Sequence, residues 1–277
     1  MSRVTDDLIE MRGLRFHYRD WESSANNAPI LILLHGFSGH ARSWDSFAET
    51  ASKRFRVLAL DQRGHGESDW SADSQYGAHE MKEDLNCFIR ALDLKAYSLV
   101  GLSMGGTVAI HFAAQKPEGL QRLVIVDIAP ELATTGIRAI QQGVSQGDVF
   151  ETIDEAFERA RAANSVPPED VHFHRVRHSL MRTEDGNWTF KFDRAFRQPH
   201  RLTTRRPSVQ EGWDAVAGIV VPTLLIRGQN SNLLAPEIAK KFVDLVDDCE
   251  FAEIEGSGHS VPLDKPEEFR DEVLRFL

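Results

Sequence analysis

Seven short strand-like runs punctuate the chain, at residues 14–18, 30–34, 57–60, 98–100, 123–126, 223–226 and 251–254. Several are continuous rather than alternating and are bounded by turn residues, as strands of a parallel sheet buried on both faces are. Helical patterns fill the gaps, at 41–52, 77–92, 104–115, 236–246 and 266–277. In the second of these, Met81, Leu85, Phe88, Ile89 and Leu92 make one apolar stripe at helical spacing. Strand and helix alternating in this way require βαβ crossovers. The expected fold is therefore α/β: a doubly wound, mostly parallel sheet with helices on both faces.

The alternation stops between about Pro130 and Gly212, where the text is charged and irregularly helical with no strand-like run. The expected organisation is a core domain of residues 1–129 and 213–277, with a helical lid (cap) of residues 130–212 inserted into it. Lids of this kind shape a pocket and exclude water. No internal repeat or low-complexity segment suggests any further unit.

Composition narrows the function classes. A formal charge of −10 lacks the basic footprint that nucleic-acid binding needs. The apolar runs are strand-sized, far below the ~20 residues that span a bilayer. Residues 1–10 carry three acidic side chains and no apolar stretch of the signal-peptide kind. The expectation is a cytoplasmic protein acting on a small molecule, without nucleic-acid or membrane partners. Cys87 and Cys249 are expected to be reduced, partly buried thiols.

The chemistry concentrates at Gly101-Leu102-Ser103-Met104-Gly105. This G-x-S-x-G follows the apolar run at 97–100 and opens a helical segment, the context in which such a motif is a nucleophile elbow. The turn strains the serine backbone, so the residues two positions away must lack bulk, and both are glycine. The helix N-terminus beneath the serine favours developing negative charge. The backbone N–H of Met104 is the first candidate oxyanion donor. The second is the N–H of Phe37, in the Leu34-His35-Gly36-Phe37 turn after an earlier strand. His35, inside that turn, is expected to brace the loop rather than act as a base. Asp61-Gln62-Arg63-Gly64-His65-Gly66-Glu67-Ser68 reads as structural punctuation.

With these segments in this order, the chain resembles the α/β-hydrolase superfamily over essentially its whole length apart from the lid. The resemblance implies a base histidine after the last strand, where Gly256-Ser257-Gly258-His259-Ser260 stands, so His259 is the candidate base. It also exposes a departure. Most superfamily members carry the acid as an aspartate in a G-x-x-D loop after the penultimate strand, and here that loop reads Gly228-Gln229-Asn230-Ser231. Some relatives, among them haloalkane dehalogenases and a group of small bacterial carboxylesterases, carry the acid one strand earlier. The text Val126-Asp127-Ile128-Ala129-Pro130 is similar to that esterase group, whose members also have serine in the later loop. The implied site is Ser103, His259, Asp127 and Ser231. Asp127 could instead merely cap the first turn of the lid, and Ser231 could be passive.

Such a site hydrolyses a carboxylic ester or related acyl compound through an acyl-enzyme, with no metal or organic cofactor expected. Lactonase, thioesterase, carbon–carbon bond hydrolase and cofactor-free haloperoxidase use the same machinery. A non-catalytic ligand-binding receptor on the same fold is the alternative from another class. Dehalogenases and epoxide hydrolases need aspartate at the elbow, where this chain has Ser103.

Within the lid, Arg175, Arg177, Arg182, Lys191, Arg194, Arg197, Arg201, Arg205 and Arg206 outnumber the nearby acids. They form either a positive rim attracting an anionic substrate or partners for the acidic stretch 151–158 and the core. Trp188, Phe190, Phe192 and Phe196 are candidates for acyl-pocket walls or for lid packing, with Trp188 and Phe192 taken as substrate-binding.

Overall fold

The computed structural model describes residues 3–23, 25, 27–198, 202–204 and 207–277. Eight strands form one sheet: β1 (Val4–Met11), β2 (Leu14–Trp21), β3 (Ile30–Leu34), β4 (Arg56–Leu60), β5 (Tyr97–Leu102), β6 (Leu120–Val126), β9 (Thr223–Gly228) and β10 (Cys249–Ile254). Their spatial order is β1-β2-β4-β3-β5-β6-β9-β10. The β1–β2 and β2–β4 pairs are antiparallel, and every later pairing is parallel.

Successive strand residues go to opposite faces, so each continuous apolar run supplies two cores. Ile32, Leu34, Leu99, Leu123 and Ile125 face one side, against α2 (Ala78–Ala91), α3 (Met104–Ala113), α7 (Val209–Ala217) and α8 (Pro236–Leu245). Their neighbours Leu31, Leu33, Val100, Val124 and Val126 face the other, against α1 (Asp45–Ala51) and α10 (Pro266–Phe276). The expected stripe on α2 is inward, with Leu85 and Phe88 fully buried.

Between β6 and β9 lie α4 (Thr134–Ser145), α5 (Ile153–Ala163), α6 (Glu169–Ser179) and a two-stranded antiparallel hairpin, β7 (Leu180–Arg182) with β8 (Trp188–Phe190). The hairpin corrects the expectation that this segment holds no strand. Phe150, Ala156, Phe157, Val176 and Leu180 give the insertion a small core of its own. The boundary expected after Gly212 falls inside α7, whose Trp213 and Val216 join the main core. No described helix is long and apolar enough to cross a membrane. Cys87 and Cys249 are free and half-buried.

Candidate active site

Ser103 sits between β5 and α3 with φ 51° and ψ −113°, a left-handed conformation that costs a non-glycine residue free energy. Close packing holds it there. A Cβ on Gly105 would come within 2.4 Å of the Leu34 carbonyl oxygen, so only glycine lets α3 approach β3 this closely. The Ser103 N–H donates to the Val126 carbonyl at 3.0 Å, tying the turn to the neighbouring strand end.

His259 lies between β10 and the short helix α9 (Val261–Asp264), and its loop is braced by Asp264, whose Oδ2 accepts from the Gly258 N–H at 2.7 Å. The imidazole Nε2 is 2.9 Å from Ser103 Oγ, and Nδ1 is 2.7 Å from Asp127 Oδ2. With Nδ1–H donating to the carboxylate, Nε2 is left to accept from the serine hydroxyl.

Asp127 follows β6 directly, is fully buried, and also has a positive φ of 51°. Its Oδ1 accepts from the Gly228 N–H at 2.9 Å, and its Oδ2 accepts from Ser231 Oγ at 2.5 Å. Ser231 Oγ is itself held by the N–H groups of Leu233 and Leu234, at 3.2 and 3.1 Å. The ends of β5, β6, β9 and β10 thus bring together all four side chains expected from the sequence. A serine hydroxyl on an imidazole backed by a buried carboxylate is the arrangement acyl transfer by general-base catalysis requires.

Met104 is the first residue of α3, where a backbone N–H has no partner within the helix. The Gly36–Phe37 turn lies against the elbow: a Cβ on Gly36 would stand 3.3 Å from Ser103 Cβ. His35 donates from Nδ1 to the Gly36 carbonyl at 2.8 Å and accepts the Gln62 N–H on Nε2 at 3.0 Å. Both ring nitrogens are engaged, and burial pushes its pKa down, so it is a neutral brace. Asp61 serves structure too, accepting the N–H groups of Ala41 at 2.5 Å and Glu67 at 2.9 Å. Burial acts to raise its pKa, but hydrogen bonding and charge from His17 prevail and hold it at about 2.

A cavity of about 360 Å³ opens over Ser103 and His259. Its walls come from the core, through Phe37, Trp44 and Leu102, and from the insertion, through Ile140, Val176 and Phe190. Phe192 lines it as expected, stacked on Phe190 at 5.6 Å between ring centroids. Trp188 does not. Its backbone pairs with Phe150, its ring lies under the Arg182 guanidinium at 4.5 Å, and it packs on the insertion's own core, which corrects its assignment to the substrate.

Of the expected basic rim, Arg175 and Arg197 line the cavity, while Lys191 pairs with Glu67 of the core. Arg201, Arg205 and Arg206 lie outside the described residues. Arg159 also lines the cavity and was not singled out by sequence. A signal for it exists: Ala156, Arg159, Ala160 and Ala163 fall at i, i+3, i+4 and i+7 of α5, and this small-residue face is the one turned to the cavity.

The α/β-hydrolase fold model matches residues 29–266, and the chain belongs to that family. It is 30% identical to an sn-1-specific diacylglycerol lipase of Mus musculus, over 97% of this chain and 87% of that protein. It is 31% identical to an esterase of Mycobacterium tuberculosis, over 87% and 80% of the two chains. In fold it superposes on the crystal structure of E-2-(acetamidomethylene)succinate hydrolase with a TM-score of 0.87, at 23% identity and 99% coverage of both chains. The relatives are hydrolases whose substrates differ.

Proposed function

We propose that this chain is a serine carboxylesterase that cleaves a small ester through an acyl-enzyme. The observation that carries the reading is the hydrogen-bonded chain from Ser103 through His259 to Asp127, with a cavity opening over Ser103 and His259. Ser103 Oγ attacks the acyl carbon while His259 Nε2 takes its proton, and the buried Asp127 carboxylate stabilises the imidazolium. The N–H groups of Met104 and Phe37 hold the oxyanion. The bond to the alcohol oxygen breaks as His259 returns the proton to it. Water then attacks the acyl carbon, giving its proton to His259, and the carboxylic acid leaves as Ser103 recovers its hydrogen.

In this reading α4, α5, α6 and the β7–β8 hairpin are a lid, supported by their share of the cavity wall. A cytoplasmic location fits the two free thiols. The test is labelling by a fluorophosphonate probe together with turnover of p-nitrophenyl butyrate. Wild type should label and turn over, and Ser103→Ala should do neither. Labelling that persists in Ser103→Ala would put the reactive nucleophile elsewhere in the chain, and a folded wild type inert to both reagents would favour a ligand-binding role for the same cavity.

A further inference from the structure

The cavity over Ser103 has the opposite sign of charge to the chain around it. Arg159 on α5, Arg175 on α6 and Arg197 after β8 line it, and no aspartate or glutamate is among its described lining residues, in a chain of net charge −10. Two of these cations are committed. Arg197 pairs with Asp148 at 3.2 Å and donates to the Gln146 carbonyl at 3.1 Å. Arg159 donates to the Gly147 carbonyl and lies over the Phe150 ring at 4.2 Å.

Arg175 differs. Its guanidinium has no hydrogen bond or ion pair among the described residues, although the residue lines the cavity and is half-buried. Asp264 is the carboxylate whose field reaches it, but that group is occupied by the Gly258 N–H and by Asn164 Nδ2, each at 2.7 Å. The position of α6 is fixed where it matters, because His40 Nε2 donates to the Arg175 carbonyl at 3.0 Å. That contact ties Arg175 to the loop of His35, Gly36 and Phe37, whose His35 feels its charge. Burial lowers the pKa of all three arginines, the mark of cations removed from water without full compensation. A guanidinium with its donors unused in such a place is complementary to a carboxylate, which it can bind with two parallel hydrogen bonds.

We propose that the substrate is a monoester of a short dicarboxylic acid, its free carboxylate bound by Arg175 while its ester carbonyl lies at Ser103. The proposal rests on the hydrolase reading and supplies its substrate class. A cavity of about 360 Å³, at the small end for ligand sites, suits a short chain with one charge at its far end.

The experiment compares mono-p-nitrophenyl adipate with p-nitrophenyl hexanoate, which has the same chain length and no second carboxylate. Wild type should prefer the adipate ester in kcat/KM. Arg175→Gln should cut the adipate-to-hexanoate ratio by about tenfold or more, mainly through KM for adipate. A wild-type preference for hexanoate, or an unchanged ratio in the variant, overturns the proposal and leaves the hydrolase reading intact. Should neither ester turn over, the hydrolase reading fails, and calorimetry decides the anion site separately. Adipate binding that weakens by about tenfold in Arg175→Gln supports it, and no difference overturns it. If the variant does not fold, inhibition of the wild type by adipate but not by neutral adipamide takes its place, and equal inhibition or none counts against the proposal.

Discussion

Ser231 Oγ stands 2.5 Å from Asp127 Oδ2, the same carboxylate oxygen that faces His259 Nδ1 at 2.7 Å. The hydroxyl therefore occupies the loop position from which a carboxylate could reach the same imidazole. In the proposed reading the departure in the loop and this contact are a single exchange: Asp127 stands as the acid one strand earlier, and Ser231 takes the loop position that an acid would otherwise hold.

An exchange of this kind should be reversible in part. Asp127→Asn with Ser231→Asp is expected to recover roughly 10-fold or more of the activity lost in Asp127→Asn alone, because a charge is restored beside Nδ1. Ser231→Ala, which removes one neutral donor from the carboxylate, is expected to cost only about 3- to 10-fold in kcat. Steady-state kinetics on p-nitrophenyl butyrate measure both. A double variant no better than Asp127→Asn would show that position 231 cannot serve the histidine.

The elbow makes a prediction about packing. Gly105→Ala places a methyl group 2.4 Å from the Leu34 carbonyl oxygen and 2.7 Å from that of His35, backbone atoms that cannot swing aside. A destabilisation above ~3 kcal/mol, or loss of folded protein, is expected in urea denaturation. Gly143→Ala in α4 meets nothing within 4 Å and should instead stabilise by up to about 1 kcal/mol through helix propensity.

Most of the frame and the residues of the candidate site were legible in the sequence because both are written in local signals. The strands from β3 through β6, and β9, hold apolar runs, β2 and β10 hold shorter strand-like ones, and Ser103, Asp127 and His259 each stand just past a strand end. The missed elements lack such a signal. β1 turns Thr5 and Asp7 toward the protein along with Ile9 and Met11, so its inward positions are not consistently apolar. β7 and β8 are three residues each, too short for a period to show. Trp188 and Phe192 sit in the same aromatic stretch, and only the hairpin's fold separates the one packed on Phe150 from the one facing the cavity. Which arginine would lack a partner was likewise a tertiary matter.

Acid sensitivity follows from buried histidines. Burial lowers His40 and His65 to about 3 from the usual 6.5, so both are neutral in the folded protein. Between these limits the unfolded chain binds protons that the folded one does not, and stability falls as pH drops from about 6.5 toward 3. The slope is roughly 1.4 kcal/mol per pH unit for each group. His17 runs the other way. Burial would lower its pKa, but Asp61 and Asp6 raise it overall, so its contribution is full below about 6.5 and is lost as pH rises through its folded value. Urea denaturation at pH 7, 5.5 and 4.5 should show net loss toward acid, and His65→Gln should flatten the slope. A stability curve that is level or rises toward pH 4.5 would contradict the assignment.

The most direct measurement is hydrolysis of p-nitrophenyl butyrate by wild type and Asp127→Asn side by side. The variant keeps the size of the side chain but presents an uncharged amide to His259. If Asp127 is the acid of the site, kcat falls by about 10³–10⁴ while the protein remains folded and KM changes little. Activity within a few-fold of wild type would contradict that role and leave the buried aspartate as a brace between β6 and β9.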